Sequence, residues 1–182
     1  MKRCLKREDP SRTPTPFVRG LMNHEESRAE RITRRYRQTI HASSDDVFPL
    51  ICPVREADWL VGWRYTMLFS VSGLVELGAV FTTPGDGEED TVWIVTRHDA
   101  VQRVVEFTRF TPGSRVCVLR IDVSPDGPNR SLVDVEYTYT SIAAAGRAFL
   151  DGLTEEVFRA DVTFWEKSMN HWLATGERLA KE

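Results

Sequence analysis

The sequence predicts an α+β protein: a curved antiparallel sheet of about seven strands wrapped around a long C-terminal helix, in the order β-α-α-β6-α. Three observations lead there. From Trp63 to Ser141 the hydrophobic period is two, and turn signals punctuate it at regular intervals. From about Gly146 to Leu179 the pattern becomes that of an amphipathic, aromatic-rich helix. A chain of 182 residues has room for one core and an appendage, not for two independent cores.

The appendage comes first. Residues 1–27 carry Pro10, Pro14 and Pro16 among charges and hydroxyls, with little to bury, and read as a flexible basic extension in which Met22 offers a second start. Residues 28–182 form the single domain. In Arg31 to Ile40, the positions Ile32, Tyr36 and Ile40 fit both a helical face and one side of a strand; Thr33, Tyr36 and Thr39 favour the strand. Ser43-Ser44-Asp45-Asp46 then supplies a hydroxyl cap and early carboxylates for a short helix that Pro49 and Pro53 keep short. A second short helix is expected over Arg55 to Val61, ending at Gly62.

Strands are expected near 63–70, 77–83, 91–97, 102–110, 115–123 and 131–141. The turn signals include Ser72-Gly73, Pro84-Gly85-Asp86-Gly87 and Pro125-Asp126-Gly127-Pro128. The last strand shows its two faces plainly, with Val133, Val135, Tyr137 and Tyr139 on one side and Asp134, Glu136, Thr138 and Thr140 on the other. On the final helix Leu150, Leu153, Val157, Phe158, Phe164, Trp165, Met169 and Trp172 share a broad arc. No other segment offers the sheet a comparable apolar surface.

Charge and composition exclude several classes. No apolar run approaches the roughly 20 residues of a spanning helix, so no membrane span is expected. The net charge of −3 divides into +4 over residues 1–21 and −7 over the rest, which disfavours nucleic acid as a partner. Cys4, Cys52 and Cys117 are too scattered for a disulfide framework. With the four histidines they form no zinc spacing, and the acidic 84–90 turn matches no ordered calcium loop, so no metal and no cofactor are expected. The absence of a secretory h-region, together with these thiols, suggests the cytoplasm. Oligomeric state stays open.

This order of elements resembles the helix-grip superfamily (SRPBCC), which unites START lipid-transfer domains, pollen-allergen-like proteins and polyketide cyclase/dehydrase-like proteins. Ala42-Ser43-Ser44-Asp45-Asp46-Val47-Phe48, the Arg109-Phe110-Thr111-Pro112-Gly113 turn and Trp165-Glu166-Lys167 are similar to the bacterial polyketide cyclase/dehydrase and lipid-transport group. The resemblance covers residues 30–175. It implies a cavity between sheet and helix, open at one end and used for apolar ligands. It carries over no set of catalytic residues.

The candidate site residues follow from that cavity. Val133, Val135, Tyr137, Tyr139, Val157, Phe164 and Trp165 are expected to line it, Asp161 and Ser168 to contact the ligand from the final helix, and Trp93, Phe107 and Arg109 to join them if their strand faces point inward. Asp161 falls inside the apolar arc and should face the sheet, where desolvation would suit it to general-acid work; the alternatives are a structural pair with Arg97 or Arg109, or an end-of-cavity group that still reaches water. His171, three residues beyond Ser168, is a second proton-transfer candidate. Trp59 and Trp63 either gate the mouth or stake down the corner that contains Cys52. The five arginines of 28–37 read as a solvated face.

Three functions fit. The leading one is binding or transport of a small hydrophobic or amphipathic molecule, such as a lipid, polyketide or aromatic metabolite, in a cavity of roughly 300 to 1,000 Å³. The second is a cyclase or dehydratase working with a pocket acid. The third is a protein-interaction module, which requires an interior filled by Phe107, Phe164 and Trp165.

Overall fold

A computed structural model describes residues 29–180 apart from residue 86. The basic extension expected over 1–27 lies outside the described residues. The elements are β1 (Arg31–Ile40), α1 (Ser44–Val47), a 3-10 turn (Phe48–Leu50), α2 (Pro53–Trp59), β2 (Thr66–Phe69), β3 (Val80–Thr83), β4 (Thr91–Asp99), β5 (Val104–Thr111), β6 (Arg115–Pro125), β7 (Ser131–Ser141), α3 (Ala144–Gly152) and α4 (Glu155–Thr175). The seven strands form one antiparallel sheet in the order β1-β7-β6-β5-β4-β3-β2. Each neighbour from β2 to β7 follows its predecessor through a turn, and β1 joins the far side of β7.

Two helical details differ from expectation. The C-terminal helix is two helices, because the chain turns at Leu153 and restarts at Thr154, whose side chain accepts a hydrogen bond from the Val157 amide at 3.2 Å. The second short helix begins at Pro53, whose missing amide costs nothing in a first turn, and ends at Trp59. The expected Ser43 cap is present and accepts from the Asp46 amide.

Register sets the inner face row by row. Phe81, Trp93, Arg109, Cys117 and Tyr139 align across five strands, and Val95, Phe107, Leu119 and Tyr137 form the next row. The outer face answers with cross-strand pairs, Arg37 with Asp134 at 2.7 Å and Arg35 with Glu136. Arg34 departs from the expected solvated face. It lies inside β1 and donates to the Leu153 carbonyl at 3.0 Å, pinning the corner between α3 and α4.

The parity of β4 is corrected by a bulge. Trp93 and Val95 face inward, but register shifts between Val95 and Arg97, so Arg97 pairs opposite Glu106 and binds Asp99 and Gln102 outside. His98 turns in instead and stacks on Phe48 with ring centroids 5.5 Å apart.

Helix α4 lies across the sheet and also closes its β1 border. Gln38 donates to the Val162 carbonyl at 2.9 Å, Glu166 accepts from the Thr39 amide at 2.8 Å, and Asn170 both accepts from the His41 amide and donates to the Thr39 carbonyl. Its buried stripe of Phe158, Val162 and Met169 meets the sheet, with Trp165 and Trp172 half-buried beside it. No helix among the described residues is long and apolar enough to cross a membrane.

Candidate functional site

Between the inner rows of the sheet, α2 and α4 lies a cavity of about 210 Å³. Phe81, Trp93, Phe107, Leu119, Ile121 and Val135 form its floor, and Val162 and Trp165 its roof. Pro53, Glu56, Leu60 and Trp63 close one side. Trp93 is its rigid centre: it stacks on Phe81 at 5.2 Å, meets Trp63 and Phe107 edge-on at 6.1 and 5.9 Å, and donates its indole N–H to Thr83 at 2.9 Å. Such offset and edge contacts hold the rings in one arrangement.

Four polar side chains reach this apolar space: Glu56 from α2, Arg109 from β5, Tyr137 from β7 and Asp161 from α4. Arg109 sets its guanidinium carbon 4.1 Å from the centre of the Trp93 ring, a cation–π contact. Its Nε is buried with no hydrogen-bond partner among the described residues. Burial pushes the Glu56 carboxyl up from 4.5 to about 8 against the opposing pull of Arg109, so near neutrality it holds its proton. Its partly exposed surface faces the cavity, which is why it is desolvated without being fully covered. The Tyr137 phenol is likewise pushed up, mainly by burial.

A second hollow of about 550 Å³ shares Arg109, Tyr137, Asp161 and Val162 with the first and runs beneath the α3–α4 corner, past Tyr139, Phe149 and Leu153. Here Arg115 is paired with a carboxylate. It pairs with Glu88 at 2.6 Å, donates to Ser114 at 2.8 Å and sits 3.6 Å from the centre of the Phe149 ring. Tyr137 and Tyr139 stack at 5.6 Å between the two hollows, and burial raises the Tyr139 phenol to about 12.

Set against expectation, Trp93, Phe107, Arg109, Val135, Tyr137 and Trp165 line the inner cavity, and Tyr139 lines the outer hollow. Val133 is fully buried core. Five positions need correction. Asp161 is exposed at the rim, with no ion pair to Arg97 or Arg109 among the described residues, so the desolvated acid is Glu56 instead. Val157 is 46% exposed and borders only the outer hollow. Ser168 is fully buried in the core, and Phe164 is half-buried; neither lines a hollow. His171 lies in a surface groove with Thr39, His41 and Glu166, away from the cavity.

Sequence reasoning missed Glu56, although it singled out the segment that carries it. The available signal was its position three residues after Pro53 and three before Trp59 on a one-face helix. Trp59 is fully buried, donates to the Leu50 carbonyl at 3.2 Å and stakes down the corner, whereas Trp63 lines the cavity. The inner cavity is smaller than expected because three tryptophans crowd it. It is nevertheless open space, which removes the filled interior that an interaction module requires.

No group of three or more His, Cys, Asp or Glu among the described residues is placed to hold a metal. No family model matches the chain, and no curated protein matches it. Solved structures do. Norcoclaurine synthase from Thalictrum flavum, in complex with dopamine and hydroxybenzaldehyde, superposes with a TM-score of 0.58 at 14% identity, covering 94% of this chain and 100% of that one. The Zhui aromatase/cyclase from Streptomyces sp. R1128 gives 0.54 at 13% identity, over 82% of this chain and 100% of its own. The di-domain aromatase/cyclase BexL from the BE-7585A biosynthetic pathway gives 0.59 at 14% identity, over 80% of this chain and 48% of its own. With its seven-stranded antiparallel sheet gripping α4, the chain has the helix-grip fold that it shares with norcoclaurine synthase and these aromatase/cyclases.

Proposed function

We propose that this domain binds a small hydrophobic or amphipathic molecule in the cavity between the sheet and α4. The observation that carries the reading is that Glu56, Arg109 and Tyr137 converge on an apolar, tryptophan-lined space without a hydrogen-bond partner for their side chains among the described residues. Polar groups are placed unpaired in an apolar pocket where a ligand completes them. Apolar burial supplies affinity, and the polar group fixes orientation. The complex of norcoclaurine synthase with dopamine and hydroxybenzaldehyde supports the same reading.

Native mass spectrometry of freshly purified protein, followed by organic extraction, tests it. The expected result is a stoichiometric small apolar adduct in the wild type that is lost when Val135→Phe plugs the cavity. An adduct that survives the plug, or protein that takes up no aromatic compound from a panel, overturns the reading.

A second reading, a cyclase or dehydratase, is favoured by one observation: Glu56 keeps a proton up to about pH 8, as a general acid near neutrality must. There the cavity folds the substrate, Glu56 gives its proton to a departing hydroxyl that leaves as water, and the carboxylate so formed takes the proton from the adjacent carbon as the double bond forms. A carrier with Glu56→Gln keeps its ligand within a small factor, whereas such an enzyme loses turnover by orders of magnitude while still binding.

A further inference from the structure

We infer that the cavity's ligand is a monocarboxylic acid with a compact, ring-sized apolar tail, the carboxylate held by Arg109 and the tail lying among Trp93, Phe107 and Trp165. This rests on the ligand-binding reading above and gives its ligand a chemical class.

The argument starts from charge. Arg109 is a permanent cation in a space whose other lining is mostly apolar. It has no ion pair with a described carboxylate, and its Nε is buried without an acceptor. Arg109 is half-buried, and a cation drawn partly out of water with a buried Nε left unanswered is costly to hold, so a site that keeps one has a use for it. Arg115, on the neighbouring strand, shows the contrast. Its charge is answered by Glu88, and its Nη1 also donates to Ser114. Of these two, Arg109 is the one with no hydrogen-bond acceptor among the described residues.

The surrounding carboxyls do not neutralise Arg109. Glu56 lies beyond ion-pair distance, and burial keeps it protonated near neutrality, where it acts as a hydrogen-bond donor that a second carboxylate oxygen can accept. Asp161 is exposed to water at the rim. Tyr137 adds a phenol, held protonated by burial, from β7, two strands away. Three donors therefore line one cavity. That pattern suits an anion with two oxygens better than a ketone or an alcohol, which would leave the guanidinium unpaired. The Trp93 ring stations the guanidinium, and a stationed planar fork matches a carboxylate with two parallel hydrogen bonds.

Size sets the tail. An apolar cavity of about 150 Å³ accommodates benzene, and this one measures about 210 Å³. One ring and a short linker fill it; a fused polycyclic skeleton does not. The outer hollow, sharing Arg109 and Tyr137, gives the carboxylate its way in.

The test uses two probes of equal shape, 3-phenylpropionate and 3-phenylpropanamide, titrated into the full chain at pH 6.5 and followed by tryptophan emission. The expected result is that the acid binds at least about tenfold more tightly than the amide and that Arg109→Gln erases this preference. Arg109→Lys, which keeps the charge but loses the fork, should retain only part of it. Equal binding of acid and amide by the wild type, or a preference that survives Arg109→Gln, overturns the carboxylate and leaves the pocket reading standing. Saturable binding of neither probe overturns both. If Arg109→Gln does not fold, the wild-type comparison and Arg109→Lys decide.

Discussion

Replacing Glu56 by glutamine should stabilise the protein, and by an amount that grows with pH. Burial lifts the native carboxyl from 4.5 to about 8, while in the unfolded chain it titrates near 4.5. Below about pH 4.5 both states hold the proton, and the group adds no difference. As pH rises from there, the unfolded chain releases its proton while the native one keeps it, so native stability falls until about pH 8 and then levels off. At about 1.4 kcal/mol per pH unit, the interval sets a ceiling of about 5 kcal/mol. Because Glu56 faces a cavity that opens toward the rim, water softens the penalty, and about 2 to 3 kcal/mol is the working expectation. Glutamine keeps the shape and never ionises. Urea denaturation of both proteins, freed of ligand, at pH 4.5, 6, 7 and 8.5 gives the difference directly. A stability difference that stays flat across those values, within about 0.5 kcal/mol, would refute the claim that this carboxyl is desolvated.

Other substitutions probe the frame around it. Val135→Phe should fill the inner cavity and weaken any small aromatic ligand by at least about tenfold in a titration, while lowering stability by no more than about 1 to 3 kcal/mol in a denaturant melt. Gly146→Ala should be severe, because a methyl group on α3 would collide with the Ser114 carbonyl and sit 2.8 Å from its carbon; a loss of about 2 kcal/mol or more in urea midpoint analysis is expected. Thr154→Ala removes the α4 cap and should cost about 1 kcal/mol by the same assay. Gln38→Met should be nearly neutral, because it loses one hydrogen bond to Val162 but also removes a buried oxygen that has no partner among the described residues.

The sheet was legible because alternation is a local signal. Val133, Val135 and Tyr139 announce the inner face of β7 within a few residues, and register then propagates that face across β6, β5 and β4. The bulge between Val95 and Arg97 was not legible, since a single inserted residue leaves no mark in composition yet turns Arg97 out and His98 in. The helix was misjudged for a related reason. A wheel drawn across one continuous segment from Gly146 hides the break at Leu153–Thr154, and it widens the arc enough to admit Val157, Asp161 and Phe164. The buried stripe of α4 runs instead through Phe158, Val162, Trp165 and Met169, one residue over. Glu56 escaped because its burial comes from α4 and β5 folding over α2, a meeting of distant segments that no window around residue 56 contains.

The hydrogen bonds that Glu166 and Asn170 make to the β1 backbone carry a cost for any route of ligand exchange that works by lifting α4. Raising that helix would bare the amides and carbonyl of Thr39 and His41 along a sheet margin, and a bared margin recruits strands from other molecules. Traffic through the α3–α4 corner avoids this hazard, and a chain shortened to end before Glu166 should accumulate as β-rich aggregates instead of monomers.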